Sequence, residues 1–220
     1  EEVYRVGGKY DREIRRIVRH LQDAVEFAPP ATADALRALI RFYTTGDEAD
    51  RVAYDIAWVR DQAGSVGTIN GFVEVYLDPR GTKGAWEGMV CYVNADRTRR
   101  IEALAANAQW FEDHAPWSPV FRKPEVLGVT AKAIDVLVET GDSGPLTPVG
   151  INLPNDQAVR ERYGSKSVSL VNVNEAYERA TPQEMRSEFC WDAAGVERAK
   201  QWGAFSRELT TEMHEVIGHG

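Results

Sequence analysis

Two histidines and a glutamate stand together near the end of the sequence, in the run His214-Glu215-Val216-Ile217-Gly218-His219. Neutral imidazoles bind Zn²⁺ well, and a catalytic zinc keeps three protein ligands and one open position for water. A glutamate beside such a metal can take a proton from that water, whose pKa the metal lowers. These residue types therefore predict the site of a zinc hydrolase.

The spacing of the two histidines departs from the common zinc motif H-E-x-x-H, in which they lie four residues apart on one helix face. Here they are five residues apart, which on an ideal α-helix would turn the rings roughly 140° away from each other. A π-helical bulge would absorb the extra residue and return His219 to the side of His214, and Gly218 would ease that distortion. The alternative is an ordinary helix end, with Gly218 and Gly220 as C-cap residues and the histidines near the negative end of the helix dipole.

The composition is that of a globular protein, with 43% hydrophobic residues in 220 and a formal net charge of −8. The negative charge argues against a nucleic-acid partner. No apolar run is long enough to cross a bilayer, so no membrane partner is expected. Without a visible signal peptide the sequence favours a cytoplasmic location, although a removed signal peptide would leave the same sequence. Cys91 and Cys190 favour buried free thiols over a disulfide framework.

Helical and strand-like patterns are interspersed along the chain without regular βαβ order. Apolar residues at helical spacing predict three helices before residue 62, and alternating apolar residues predict strands from residue 67 onward. The strands are predicted at 72–77, 84–93, 133–139 and 168–173. Later helices are predicted at 98–114, at 157–163 and from about Asp192 into the histidine motif. The order of elements favours an α+β fold.

Polar residues on the predicted strands form a second candidate group. Glu74 and Tyr76 share one face of their strand, and Glu87 on the next strand could approach them. Asn152 and Asn155 flank a proline in an extended stretch. Carboxamide oxygens and glutamates together would form a cage for the α-ammonium group of a peptide. Two simpler interpretations stay open: a solvent-facing sheet surface, and asparagines that satisfy local backbone groups.

Together these residues resemble the dipeptidyl peptidase III family of zinc exopeptidases. The family's metal motif is H-E-x-x-G-H, which residues 214–219 match. Three further segments are similar to family segments, in the family's order: 71–79 with 84–88, 150–155, and 168–173. The resemblance covers about residues 67–220.

The resemblance implies a role for each residue of the metal motif. His214 and His219 would be zinc ligands, and Glu215 would be the general base in hydrolysis by zinc-activated water. Tyr76 would help to stabilise the scissile carbonyl as it becomes an oxyanion. The family's third zinc ligand is a glutamate in the motif E-E-C-R-A-[DE], which does not occur in this sequence, so that ligand is expected downstream of residue 220. We therefore interpret the chain as a fragment that is inactive by itself.

The resemblance also implies a substrate, namely a short peptide with a free amino terminus from which dipeptides are removed. Glu74, Asn152 and Asn155 would hold the terminal ammonium group, with Glu87 a weaker candidate for the same role. A rival from another class is a non-catalytic module that captures a peptide amino terminus by strand addition. A third is a structural helical domain whose histidines only cap a helix.

The family fold has two lobes, a strand-rich lower lobe with a β-barrel-like sheet and a mostly helical upper lobe that carries zinc. On this basis residues 1–95 are assigned to helices and then strands of the lower lobe. Residues 96–130 are assigned to a helical excursion to the upper lobe, and 131–180 to strands of the lower lobe. Residues 181–220 are assigned to upper-lobe helices that end in the zinc motif.

Overall fold

The computed structural model of the chain describes residues 2–74, 80, 84–126, 128–144 and 147–219. Its residues cluster into two units. The first unit is Glu1–Ser65 with Asp156–Gly164, and the second is Val66–Asn155 with Ser165–Gly220. The candidate site residues that the structure describes all belong to the second unit.

The helices of the described residues are α1 (Asp11–Val25), α2 (Pro30–Thr45), α3 (Glu48–Arg60), α4 (Ala95–Ala105), α5 (Ala108–Asp113), α6 (Gln157–Tyr163), α7 (Val171–Ala180), α8 (Gln183–Phe189) and α9 (Ala193–Met213). The strands are β1 (Val66–Glu74), β2 (Ala85–Val93), β3 (Val129–Gly141), β4 (Gly150–Leu153) and β5 (Ser165–Leu170). Pro119–Phe121 is a short 3₁₀ helix, and His214–Gly218 is a π-helix that follows α9 directly. None of the described helices is long and apolar enough to cross a membrane.

The first unit contains α1, α2, α3 and α6. The apolar spacing predicted the first three of these helices. Its core is centred on α2, where Leu39 and Tyr43 are fully buried, and Ile14 of α1 lies in the same buried set. The side chain of Asp47 caps α3 by accepting a hydrogen bond from the Ala49 amide at 3.0 Å. A buried face explains why α1 and α2 are helical, and in α3 a side-chain cap also satisfies the first turn.

The second unit is built on one sheet with the strand order β1-β2-β3-β5-β4. The pairs β1/β2, β2/β3 and β4/β5 are antiparallel, whereas β3 and β5 are parallel. The predicted α+β class is therefore confirmed. The assignment of chain segments to a lower and an upper lobe stays a prediction.

Several predicted element boundaries were wrong. The strands predicted from 72 and from 133 begin earlier, at Val66 and at Val129. The helix predicted at 98–114 is interrupted after Ala105 and resumes as α5 at Ala108. The strand predicted at 168–173 ends at Leu170, and Val171 begins α7. Beyond Leu170, the side chain of Asn172 pairs with β3 in place of a strand backbone. Its amide forms two hydrogen bonds of 2.9 Å with the backbone N–H and C=O of Val136. A side-chain amide can thus form the hydrogen bonds that a neighbouring strand would otherwise form. The β-branched residues around Asn172 were therefore not enough to make this segment a strand.

An apolar cluster underneath the histidine motif links it to the sheet. Val216, one residue after the proposed base, is only 1% exposed and belongs to a cluster with Ile101 of α4, Ala131 and Ala133 of β3, and Val171 of α7. Burying a valine of this kind contributes about 1.5–3 kcal/mol. Val216 therefore anchors the motif in the core, and its neighbour Ile217 packs against the same cluster.

Candidate active site

The histidine motif forms the π-helical turn that the five-residue spacing predicted. The backbone N–H of His219 donates to the carbonyl of His214 at 3.1 Å, one residue further back than in an α-helix. The two imidazoles are exposed and meet edge to face, with ring centroids 4.7 Å apart and planes at 88°. Their Nε2 atoms lie 3.1 Å from each other. The extra residue is thus accommodated without separating the rings.

The distance between the two nitrogens fits a shared metal ion. Zinc lies about 2.05 Å from an imidazole nitrogen, so two tetrahedral ligands are separated by roughly 3.3 Å. The observed 3.1 Å is within a few tenths of an ångström of that value. Among the described residues, no three His, Cys, Asp or Glu side chains are grouped to hold a metal. This part of the chain therefore offers two imidazoles as metal donors.

Glu215 lies on the sheet side of the π-helix and is only 7% exposed. Burial raises the pKa of its carboxyl, and the neighbouring His214 partly opposes that rise. Its carboxylate rests directly against β4 at Gly150, where an added Cβ would lie 2.6 Å from Glu215 Oε1. Real Cβ atoms do not approach other atoms so closely. A side chain at residue 150 would displace the carboxylate, so Gly150 is part of the site.

The backbone carbonyl of Glu215 is held by two side chains of the sheet. Ser167 Oγ donates to it at 2.8 Å, and Asn152 Nδ2 lies 3.3 Å from it. Asn152 Nδ2 also donates to Ser167 Oγ at 2.7 Å. The sequence reasoning missed Ser167 and Gly150. The alternation of serines along β5, beside Gly150 and Asn152 of β4, was the signal that could have drawn attention to this face.

The two candidate asparagines both bond to backbone groups, although these groups are far away in sequence. Asn155 is exposed, and its Nδ2 donates at 2.8 Å to the carbonyl of Val73 on β1. The amide nitrogen of Asn152 donates to Ser167 Oγ and contacts Ser165 Oγ at 3.2 Å and the Glu215 carbonyl at 3.3 Å. Its Oδ1 is buried and accepts no hydrogen bond from the described residues. Asn152 is therefore joined to the histidine motif, and Asn155 to the end of β1.

The glutamate candidates lie on neighbouring strands. Glu87 of β2 is buried and stands opposite Gly71 of β1, whereas Glu74 pairs with Ala85 across an irregularity in the ladder. Tyr76 lies outside the described residues. The approach of Glu87 to Glu74 and Tyr76, and the cage that they would form, stay predictions.

Comparison with known proteins assigns the chain to a family. The family model of peptidase family M49 matches residues 1–220. The chain is 31% identical over 214 residues to dipeptidyl peptidase 3 of Rattus norvegicus and of Homo sapiens, which covers 97% of this chain and 28% of each relative. Its fold is similar to the solved structure of dipeptidyl-peptidase III from Corallococcus sp. strain EGB, with a TM-score of 0.79, 22% identity, and coverage of 95% of this chain and 39% of that one. The chain thus spans well under half the length of each of these proteins. Because the family model matches from end to end, the chain belongs to peptidase family M49, the dipeptidyl peptidase III family.

Proposed function

We propose that this chain carries two zinc ligands and the general base of a zinc-dependent dipeptidyl peptidase, which removes dipeptides from the amino terminus of short peptides. The observation that carries the proposal is the 3.1 Å approach of the His214 and His219 Nε2 atoms, with the buried carboxylate of Glu215 on the same turn. A helix end that only capped its own carbonyls would not require this convergence. A third ligand, a glutamate beyond residue 220, is part of the proposal.

The proposed chemistry divides between the metal and Glu215. When bound, zinc would supply a Lewis acid that acidifies water and polarises the scissile carbonyl. Glu215 accepts the proton of the attacking water on a carboxylate oxygen. Since burial raises its pKa, Glu215 is a stronger base than an exposed carboxylate and a better match to a neutral reaction medium. Tyr76 would donate to the carbonyl oxygen as negative charge develops there.

Substrate recognition in this proposal depends on the amino terminus of the peptide. Glu74, Asn155, Asn152 and, with a weaker case, Glu87 hold the terminal ammonium group at a fixed distance from the metal. The bond from Asn155 to the Val73 carbonyl supports this, because it places the Asn155 side chain beside the backbone of Glu74. Since the Asn152 nitrogen is engaged, its Oδ1 is the atom that would accept from the ammonium group.

The decisive experiment is Glu215→Gln in the complete protein that contains this chain, assayed with a dipeptidyl arylamide. The substitution keeps the size of the side chain but removes the base, so kcat should fall by at least about a hundredfold while bound zinc is retained. Glu197→Gln, at an exposed glutamate of α9, is the matched control. Undiminished turnover by Glu215→Gln would rule out Glu215 as the base. Acetylating the substrate's amino terminus should abolish turnover by both control and parent proteins, because it removes the ammonium charge.

One observation favours a second candidate, capture of a peptide by strand addition. In the sheet formed by the described strands, β1 is at one edge and has β2 on its other side. Such an edge can pair with an extended peptide without any chemistry. Peptide binding that survives removal of zinc, in a complete protein that shows no turnover, would favour this candidate over the peptidase.

A further inference from the structure

The polar face of β4 and β5 lies directly beneath the π-helix. Alternate residues of a strand share one face, and the register pairs Asn152 with Ser167 and Gly150 with Ser169. The four residues therefore form a single patch of small and polar groups. Ser167 and Ser169 are buried, at 1% and 2% exposure. This patch faces Glu215, as the contacts of Gly150, Asn152 and Ser167 show.

The hydrogen bonds across this patch run in one direction. A carboxamide nitrogen only donates and a carbonyl oxygen only accepts, whereas a serine hydroxyl does both. Asn152 Nδ2 must therefore donate to Ser167 Oγ, and Ser167 must use its single proton on the Glu215 carbonyl. Bonds in such a chain polarise and strengthen one another. Ser167 is the central member of this relay.

The sheet thereby contacts Glu215 at two places, its backbone carbonyl and its side-chain carboxylate. Its carbonyl is held by Ser167 at 2.8 Å, and its carboxylate rests against Gly150. On the next residue, Val216 fixes the turn in the apolar core. A π-turn is an uncommon conformation, so contacts from the surrounding residues help to select it. The relay supplies such a contact at the residue whose carboxylate is the proposed base.

We infer that Ser167 is a positioning residue for the metal motif: its hydroxyl, oriented by Asn152, anchors the Glu215 peptide group and so sets the π-turn that brings His219 to His214. This inference rests on the proposed function for its catalytic consequence, because it makes the placement of Glu215 depend on β5. The hydroxyl bonds to the peptide group of the base and not to a reacting atom. Loss of the hydroxyl should therefore change kcat more than KM.

The test compares Ser167→Ala with Ser169→Ala. Both remove one buried hydroxyl from the same face of β5, but within the described part of the chain the Ser169 hydroxyl makes no hydrogen bond. The first readout is hydrogen exchange at the His219 amide, whose bond to His214 closes the π-turn. Ser167→Ala should speed this exchange roughly fivefold, the factor that one hydrogen bond of ordinary strength carries. Ser169→Ala should leave it unchanged.

The second readout is the kinetics of the complete protein. Ser167→Ala should lower kcat by roughly fivefold or more with KM within about twofold of the parent, and Ser169→Ala should change neither. Equal exchange rates in the two alanine variants would overturn the inference. If Ser167→Ala proved too unstable to study, Ser167→Cys keeps a side chain of similar size with a weaker donor, and it should give intermediate exchange.

The two readouts separate this inference from the proposed function. Full hydrolysis by Glu215→Gln would defeat the proposed base, yet faster exchange in Ser167→Ala alone would still establish the anchor. Conversely, loss of hydrolysis in Glu215→Gln with identical exchange in both serine variants would support the peptidase and defeat the role of Ser167.

Discussion

Arg100 holds the carboxylate of Glu212, which is fully buried two residues before His214. Arg100 Nε donates to Glu212 Oε2 at 3.0 Å, and its Nη2 contacts Glu212 Oε1. The same Nη2 lies 2.6 Å from Glu208 Oε1, one helical turn earlier on α9. Arg100 thereby links α4, which packs on the sheet, to the end of α9. The histidine motif follows α9 directly. The paired carboxylates raise the pKa of Arg100 above its ordinary value, so the charge is permanent.

Arg100→Ala should destabilise the second unit strongly. Removing one partner of a buried ion pair leaves the other charge without compensation, which costs about 3–5 kcal/mol. Urea unfolding followed by circular dichroism measures the loss. Adding Glu212→Gln to the same protein should recover part of it, because the uncompensated charge is then absent.

Arg99→Ala is the matched control for this prediction. Arg99 is the neighbouring residue on α4 and pairs with Asp96 at the surface, where both side chains are mostly exposed. Such pairs contribute at most about 1 kcal/mol. Equal destabilisation by the two alanine substitutions would show that the buried ion pair contributes no more to stability than the surface pair does.

Gly150→Ala should disable the proposed base without removing the metal. The added methyl group would meet the Glu215 side chain at 2.6 Å, and the three nearest atoms all belong to that side chain. The carboxylate must therefore move, and kcat should fall by about tenfold or more, since a displacement near 1 Å can cost about a hundredfold. Zinc per chain, measured by elemental analysis, should not change.

Gly203→Ala provides the comparison for that substitution. Gly203 lies in α9, and an added methyl group there meets no atom within 4 Å. In a helix interior this change should raise stability by about 0.5–1 kcal/mol and leave kcat unaffected. If Gly150→Ala behaved like Gly203→Ala in both stability and kcat, the close approach of Glu215 to β4 would be wrong.

The part of the site that the sequence predicted is the part whose chemistry is local. His214, Glu215 and His219 lie on one turn, so their residue types and the helical period were enough to name a π-bulge as one of two interpretations. Gly218 was expected to ease that bulge, but a Cβ there would make only an ordinary contact at 3.9 Å with the Met213 carbonyl. The glycine is therefore not required by the turn itself.

The anchor of the base could not be predicted in the same way. Ser167 is 48 residues away from Glu215 in sequence, and only the pairing of β4 with β5 brings its hydroxyl under the π-helix. Register of this kind depends on the whole sheet and not on any short window. The helix α6 was predicted with its observed bounds, Gln157–Tyr163, because its signals are local. The start of α7 could not be predicted in this way, because it depends on tertiary contacts of Val171 and Asn172.

Asp55 should make the stability of the first unit depend on pH. Burial raises the pKa of this carboxyl to about 6 from an ordinary value of 3.8, with Asp156 and Glu48 adding to the rise and Arg51 opposing it. The three carboxylates share one guanidinium, and Asp55 is the most buried of them. The folded chain therefore binds a proton more tightly at Asp55 than the unfolded chain does.

The sign of the effect follows from that difference. Between about pH 4 and pH 6 the folded state keeps the Asp55 proton while the unfolded state has lost it, so stability falls as the pH rises through this window, by about 2–3 kcal/mol. Asp55→Asn, which carries no titrating proton, should remove this fall when urea unfolding is measured at successive pH values. Asp34→Asn, at an exposed site of α2, should leave the slope as it is. A parent protein that became more stable from pH 4 to pH 6 relative to Asp55→Asn would contradict the assignment.

Zinc retention should depend on two of the four histidines in the sequence. His214 and His219 converge to 3.1 Å between their Nε2 atoms, whereas His20 lies beside Asp23 on an exposed face of α1 and His114 stacks on Trp110. Mutating a residue that only orients a metal ligand already lowers the affinity for the metal by about 10–100-fold. Replacing a ligand itself by alanine should therefore weaken zinc binding by more than about a hundredfold.

In the complete protein, dialysed against a weak chelator, this predicts one zinc per chain for the parent and for His20→Ala, and almost none for His214→Ala or His219→Ala. Both motif substitutions should act equally, because the proposed ion would need both imidazoles as ligands. If His219→Ala kept its zinc while His214→Ala lost it, the ion would not lie between the rings, and the π-turn would have to be explained by packing alone. Because zinc content is measured without substrate, this result does not depend on how Glu215 or Ser167 affects turnover.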